Sequence, residues 1–278
     1  MRCRSAMRTP AGRSQRGFTL IEAIMVIVVT GIIAGSVAIF IRIPVQSYFD
    51  LERRAEMTDS ADTALRRMGR EIRLSLPNSV RVSADGYAVE FLHTHSGGRY
   101  RVATTASGGG NILDFNRPDT SFDVLGPPVA LAPGDQVVIY NLGVPGADAY
   151  EDPHAGVPHV RRAYAGPAGN QSSVVVSTDS VFPFDSPGHR FQVVDTPVTY
   201  RCRGGILSRY AGYPISQVQP DPPVGGIVSM LAEHVSDCSF MYAPGAMEHN
   251  GLVAMRLDIT SKDETLTLYH EVHVSNVP

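Results

Sequence analysis

The sequence predicts an α+β fold, a long N-terminal helix packed over its second half on an antiparallel β-rich C-terminal domain. Three observations carry that prediction. Residues 23–41 hold nineteen positions without a charge. The residues after 45 repeat apolar side chains at three- and four-residue steps, the period of one buried helical stripe. From residue 77 onward the apolar runs are short, rich in β-branched and aromatic residues, and bounded by Gly, Pro, Asp and Ser, which reads as strands.

The uncharged run is interrupted only by Thr30, Ser36 and two glycines. A bilayer core needs about twenty apolar residues as helix, so the run is long enough to span one. Upstream lie Arg2, Arg4, Arg8, Arg13 and Arg16 with no acid among them. The positive-inside rule then holds the N-terminus in the cytoplasm and sends the residues after Arg42 outside. Glu22 sits on the apolar edge, where a charge costs about 2.5–3.5 kcal/mol on insertion scales. A plain anchor has no use for it, so a partner is expected. Cleavage after Gly17 would create one, because the new α-amine on Phe18 is a cation near the same depth. In a filament, Glu22 of one subunit would meet that amine on its neighbour.

From residue 45 the pattern turns amphipathic. Tyr48, Leu51, Ala55, Thr58, Ala61, Leu65, Met68 and Ile72 form the predicted stripe, and acids and arginines between them form a solvated face. The helix is expected over 18–74. A kink or local break is expected at Pro44, which lacks an amide hydrogen, and Leu76-Pro77-Asn78 ends the helix.

Arg16-Gly17-Phe18-Thr19-Leu20-Ile21-Glu22, ahead of an uncharged helix, resembles the class III signal of type IV prepilins and type II secretion pseudopilins. The resemblance implies cleavage between Gly17 and Phe18 by a prepilin peptidase, N-methylation of Phe18, and Glu22 as the subunit-pairing acid. Four later stretches add to it: 61–68, 76–81, 183–191 and 273–278 resemble MshO-like minor pilins. These belong to the mannose-sensitive haemagglutinin (MSHA) pilus biogenesis group and are similar in layout to PilW and GspJ. What this implies is a pilin-like fold and a minor type IV pilin held in the inner membrane by a single pass. Its N-terminus would be cytoplasmic and its C-terminal domain periplasmic, and it would join major and minor pilins to assemble or initiate a pilus. The alternatives are a J-type pseudopilin of type II secretion and a pilus-tip adhesin. An ordinary cleaved secretory signal is the competing reading of the N-terminus, but its small-residue match at Ala34-Gly35-Ser36 lies inside the apolar run. The expected organisation is a cleaved basic leader at 1–17, a membrane and filament-packing helix at 18–43, its amphipathic half at 44–76, and a β-rich domain at 77–278.

The composition, 43% hydrophobic and 18% charged, is that of a folded globular chain. Loss of the leader leaves 19 basic against 27 acidic residues, near −8. An acidic body matches nucleic acid poorly, and no such partner is expected. Cys3 would leave with the leader. Cys202 and Cys238 would face an oxidising compartment, where a disulfide is expected; two free buried thiols are the alternative.

In the β-rich part, strands are expected at 87–93, 100–104, 112–116, 136–142, 173–178 and 191–195. A hairpin is expected at 199–210 around Gly204-Gly205, then strands at 235–242, 251–260 and 266–274. Long Pro/Gly-rich surface loops are expected at 143–158 and 212–226, with a shorter loop at 166–170.

Chemistry-bearing motifs are weak. His93-Thr94-His95 would place two imidazoles on one strand face, but no carboxylate or cysteine is near in sequence. His270 and His273 fall on opposite faces. Asp148, Glu151 and Asp152 lack the order of a calcium loop. Gly108-Gly109-Gly110 lacks a phosphate-loop ending and no nucleophile elbow appears. No catalytic residue, metal site or cofactor is expected, and the predicted role is structural.

Overall fold

The computed structural model describes residues 17–154, 156–177, 180–245 and 250–278. Residues 1–16 of the expected leader, Cys3 among them, lie outside that set, as does Thr178 at the end of one expected strand. The chain forms two compact units, Met1–Arg53 and Arg54–Pro278.

Among the described residues there is one α-helix, α1 (Leu20–Ile72), of 53 residues. It runs through Pro44 without the expected break. Proline's fixed φ is itself helical, so the helix can continue past it at the cost of one backbone hydrogen bond and a ring contact with the Phe40 carbonyl, about 3 kcal/mol. The predicted stripe is also shorter than expected. Tyr48, Leu51, Ala55 and Thr58 are exposed, and the buried face begins at Met57 and continues through Ala61, Ala64, Leu65, Met68, Gly69 and Ile72. Apolar periodicity alone does not say where a covering layer starts.

The helix ends at Ile72 because the chain has a better use for its backbone. The Leu76 amide donates to the Leu92 carbonyl at 2.8 Å, and the Thr94 amide to the Leu74 carbonyl at 2.8 Å. Pro77 disfavours helix at Leu76, and Asn78 takes a left-handed φ of 59°.

The strands follow in order: β1 (Arg81–Val82), β2 (Ala88–Tyr100), β3 (Ser121–Leu125), β4 (Val129–Leu131) and β5 (Gln136–Val138). Next come β6 (Arg161–Ala163), β7 (Gly169–Gln171), β8 (Ser173–Val175), β9 (Arg190–Arg203) and β10 (Ile206–Ala211). The last are β11 (Ile227–Glu233), β12 (Val235–Ala243), β13 (Asn250–Ser261) and β14 (Glu264–Ser275). The larger sheet runs β11-β10-β9-β2-β3-β8, with β1 on β2 and the pair β5–β6 joined to β9; β12-β13-β14 form a second sheet and β4–β7 a ribbon. The α+β fold is as the sequence predicts.

Several strands differ from expectation. The runs at 87–93 and 100–104 become one long strand, β2, that ends at Tyr100, and those at 191–195 and 199–203 become β9. These two pair from Ala88↔Arg201 to Arg99↔Arg190. No strand forms at 112–116, although Leu113 is buried. β1, β3, β4, β6 and β11 come from segments not expected as strands, and β7 begins inside the expected loop at 166–170. The Gly204-Gly205 hairpin forms with φ of 62° and 81°, the left-handed pair a two-residue turn demands. In β14 the alternation resolves: Leu266, Leu268, His270, Val272 and Val274 face inward.

The main core joins the helix stripe to both sheets. Met57, Leu65, Met68 and Ile72 cluster with Phe91, Val198 and Tyr200 of the larger sheet and with Val253, Met255, Leu257 and Val272 of the smaller. Gly69 allows the close approach: a Cβ there would lie 2.8 Å from His270 Nε2 and 3.1 Å from Val272 Cγ2. At the helix end the Tyr200 hydroxyl and the Arg209 Nε each donate to Glu71 Oε2 at 2.7 Å. Burial alone would raise the Glu71 carboxyl, but these two donors hold it below its usual 4.5. The segment between β2 and β9 builds a second core around Tyr100, Phe122 and Phe191, with the Phe122 and Phe191 rings edge to face at 5.3 Å. Cys202 of β9 and Cys238 of β12 are bonded across the two sheets, 36 residues apart; closure of such a loop stabilises by about 3–4 kcal/mol in the chain-entropy model.

Candidate functional site

Residues 17–19 are non-helical and exposed, and Leu20 opens α1. Phe18 is 71% exposed. The Gly17–Phe18 peptide bond therefore lies on accessible backbone outside the helix, the state in which a peptidase can bind it.

Thr19 caps the helix. Its carbonyl accepts the Glu22 and Ala23 amides, both at 3.1 Å, and its hydroxyl accepts the Glu22 amide at 3.3 Å. Thr19-Leu20-Ile21-Glu22 is thus a Thr-x-x-Glu capping sequence. The capping pattern is visible in the sequence itself, and it gives Glu22 a place in the helix start beside its expected role as a pairing acid. The Glu22 carboxylate is exposed in the first turn, at the positive end of the helix dipole. Among the described residues it makes no hydrogen bond or ion pair.

The stretch that follows presents its apolar side chains outward. Ile33 is 57% exposed and Phe40 83%, and the helix is long and apolar enough to cross a membrane. Its hydroxyls are satisfied within the helix: Thr30 donates to the Val26 carbonyl at 2.6 Å and Ser36 to the Ile32 carbonyl at 2.9 Å. No polar side chain on the run beyond Glu22 therefore calls for a solvent or a partner. A Cβ built on Gly31 or Gly35 meets nothing within 4 Å. Nothing in the chain itself requires a glycine there, and such positions let another helix approach closely.

The other residues singled out from sequence are engaged elsewhere. His93 Nδ1 lies 2.8 Å from Asp195 Oδ1, and His95 Nε2 lies 3.1 Å from Asp135 Oδ2. The strand register shifts on both sides of Thr94, so the two imidazoles serve separate carboxylates. In the loop at 143–158, Glu151 accepts the Gly146 amide at 2.9 Å and Asp148 accepts the Tyr150 amide at 2.9 Å. These acids are occupied in shaping their own loop. Among the described residues no cluster of three or more His, Cys, Asp or Glu is arranged to hold a metal ion.

Residues 12–38 match the prokaryotic N-terminal methylation motif. No curated protein and no solved structure matches the chain. The motif is of the type IV prepilin kind, which supports a pilin-like protein, membrane-anchored and structural in role, processed by a prepilin peptidase and incorporated with other pilins.

Proposed function

We propose that this chain is a minor pilin of a type IV pilus of the MSHA type, similar to MshO. The methylation motif across 12–38, seated on an outward-facing apolar helix, supports the pilin part of this reading, and its MshO part rests on the resemblance at 61–68, 76–81, 183–191 and 273–278. A leader at 1–17 is removed between Gly17 and Phe18, and Phe18 is N-methylated. The N-terminus faces the cytoplasm and the residues beyond the span face the periplasm. The helix at 18–43 is stored in the inner membrane and transferred to the core of a filament, where Glu22 pairs with the α-amine of a neighbouring subunit. The part at 44–76 continues the helix and the part at 77–278 forms the external body.

The apolar surface supports both environments. Lipid tails and neighbouring helices each remove it from water, and burial gains about 25 cal/mol per Å². The acid supplies direction, because only an appropriately placed cation offsets its cost.

Mass spectrometry of the mature N-terminus tests the proposal. The expected result is a chain beginning at methylated Phe18, with Gly17→Val retained at full length and Glu22→Val cleaved but poorly incorporated into filaments. Native protein that keeps residues 1–17 and never enters a filament would end the proposal; normal incorporation of Glu22→Val would remove the pairing role alone.

A further inference from the structure

The register of the two longest strands in the larger sheet places Arg99 directly opposite Arg190. The next pair is bonded through the Tyr100 amide to the His189 carbonyl at 2.9 Å. Arg99 and Arg190 therefore occupy a non-hydrogen-bonded position, where Cα atoms approach to about 4.5 Å and side chains stand closest. Like charges in that arrangement are destabilising. By contrast, Arg101, just past β2, is neutralised by Asp123 at 3.1 Å, and Arg201, at the far end of β9, by Asp85 and Asp221 at 3.2 and 2.8 Å. Among the described residues the side chains of Arg99 and Arg190 make no hydrogen bond or ion pair. Both are exposed. On a body near −8, where acids are plentiful, this pair of cations stands without one.

Arg190 also lines a cleft of about 450 Å³ together with Tyr140, Pro187 and Val277, a volume within the range of small-ligand sites. β5 pairs with β9 through Val138↔Gln192, and Tyr140, two residues beyond the end of β5, lines the cleft with Arg190. Tyr140 holds a left-handed φ of 56°, a conformation unfavourable for an aromatic residue, and its hydroxyl has no hydrogen-bond partner among the described residues. Gln192, on the same strand face as Arg190, keeps a buried Oε1 without a donor.

We propose that Arg99, Arg190 and Tyr140 form a binding site for an acidic saccharide of the uronic-acid class. Two guanidinium forks match the two oxygens of a carboxylate. The Tyr140 ring, Pro187 and Val277 offer apolar walls for the C–H face of a sugar ring. The Tyr140 hydroxyl adds a group that can both donate and accept, as sugar hydroxyls require. This site is independent of the assembly role proposed above.

The test titrates the full chain, in non-ionic micelles at low salt, with sodium glucuronate, methyl glucoside and inorganic phosphate, read by calorimetry. Saturable binding of glucuronate is expected, weaker binding of phosphate, and none of methyl glucoside. Arg99→Gln and Arg190→Gln should each weaken glucuronate about tenfold, and Arg73→Gln, an exposed arginine elsewhere, should not. Both site variants should melt no lower than wild type, because each removes a like-charge contact. Absence of saturable glucuronate binding, or binding by both variants as tight as that of wild type, overturns the site. Phosphate binding as tight as glucuronate overturns the saccharide assignment.

Discussion

One helix contains two regions with opposite relations to their surroundings. Between residues 20 and 51 its large apolar side chains are exposed, whereas from Met57 to Ile72 one face is buried against two sheets. The charge pattern differs as well. The second region carries the ion pair Arg66–Asp62 at 2.6 Å on its outer face and Arg67–Glu71 at 3.6 Å where the helix meets the sheet, while the first carries no charge from Ala23 to Ile41. The two regions show that a helix's apolar residues have a meaning only relative to what covers them. A stripe fits a sheet, and a helix apolar all round fits lipid or other helices.

The largest expected effect comes from the same truncation made in each region. Ile72, fully buried in the main core, should cost about 2–5 kcal/mol of stability when changed to Ala. Ile33→Ala should leave stability within about 0.5 kcal/mol and be felt in membrane insertion or filament assembly. Denaturant melts of the full chain in micelles make the comparison. An equal loss at Ile33 would mean that the first region is packed against its own chain.

The first region was legible in sequence because a span is a local property of composition. The Gly-Gly hairpin and the β13–β14 hairpin were legible for a similar reason, since their partners lie a few residues apart. The long pairing of β2 with β9 was not. Its partners are separated by about a hundred residues, and five consecutive buried positions at the start of β2 erase the alternation that marks a half-exposed strand. β11 failed on other grounds: at the sheet edge, Ile227, Val228 and Met230 are all exposed, so no burial pattern distinguished them from loop. The motif at Gly17, Phe18 and Glu22 could be read directly. The opposition of Arg99 to Arg190 could not, because register sets it.

A smaller effect is expected where the second region is clasped. Glu71 accepts hydrogen bonds from Tyr200 and Arg209, and its folded carboxyl is held below the usual 4.5. A carboxyl depressed on folding stabilises the fold when ionised. That contribution is complete above the unfolded value and is lost as pH falls through the lower folded one. Glu71→Gln should cost about 1–2 kcal/mol at neutral pH and flatten the loss of stability on acidification below about pH 4.5. Parallel pH profiles for wild type and variant would show that the clasp contributes nothing to the folded state.

The smallest effect concerns the start of the first region, where two roles for Glu22 can be separated. Its amide is satisfied by the Thr19 hydroxyl, and its carboxylate lies where the helix dipole favours an anion. Thr19→Ala removes the cap and leaves the carboxylate in place, at a cost of about 1 kcal/mol confined to the first turn. Hydrogen exchange at residues 20–23 should rise, with stability of the β-rich body unchanged. If Glu22 acts across subunits, Thr19→Ala should enter filaments normally where Glu22→Val does not, because only the second removes the charge a neighbour's amine would meet. Equal failure of both variants would make Glu22 a helix-starting acid, and the case for pairing between subunits would then rest on nothing in this chain.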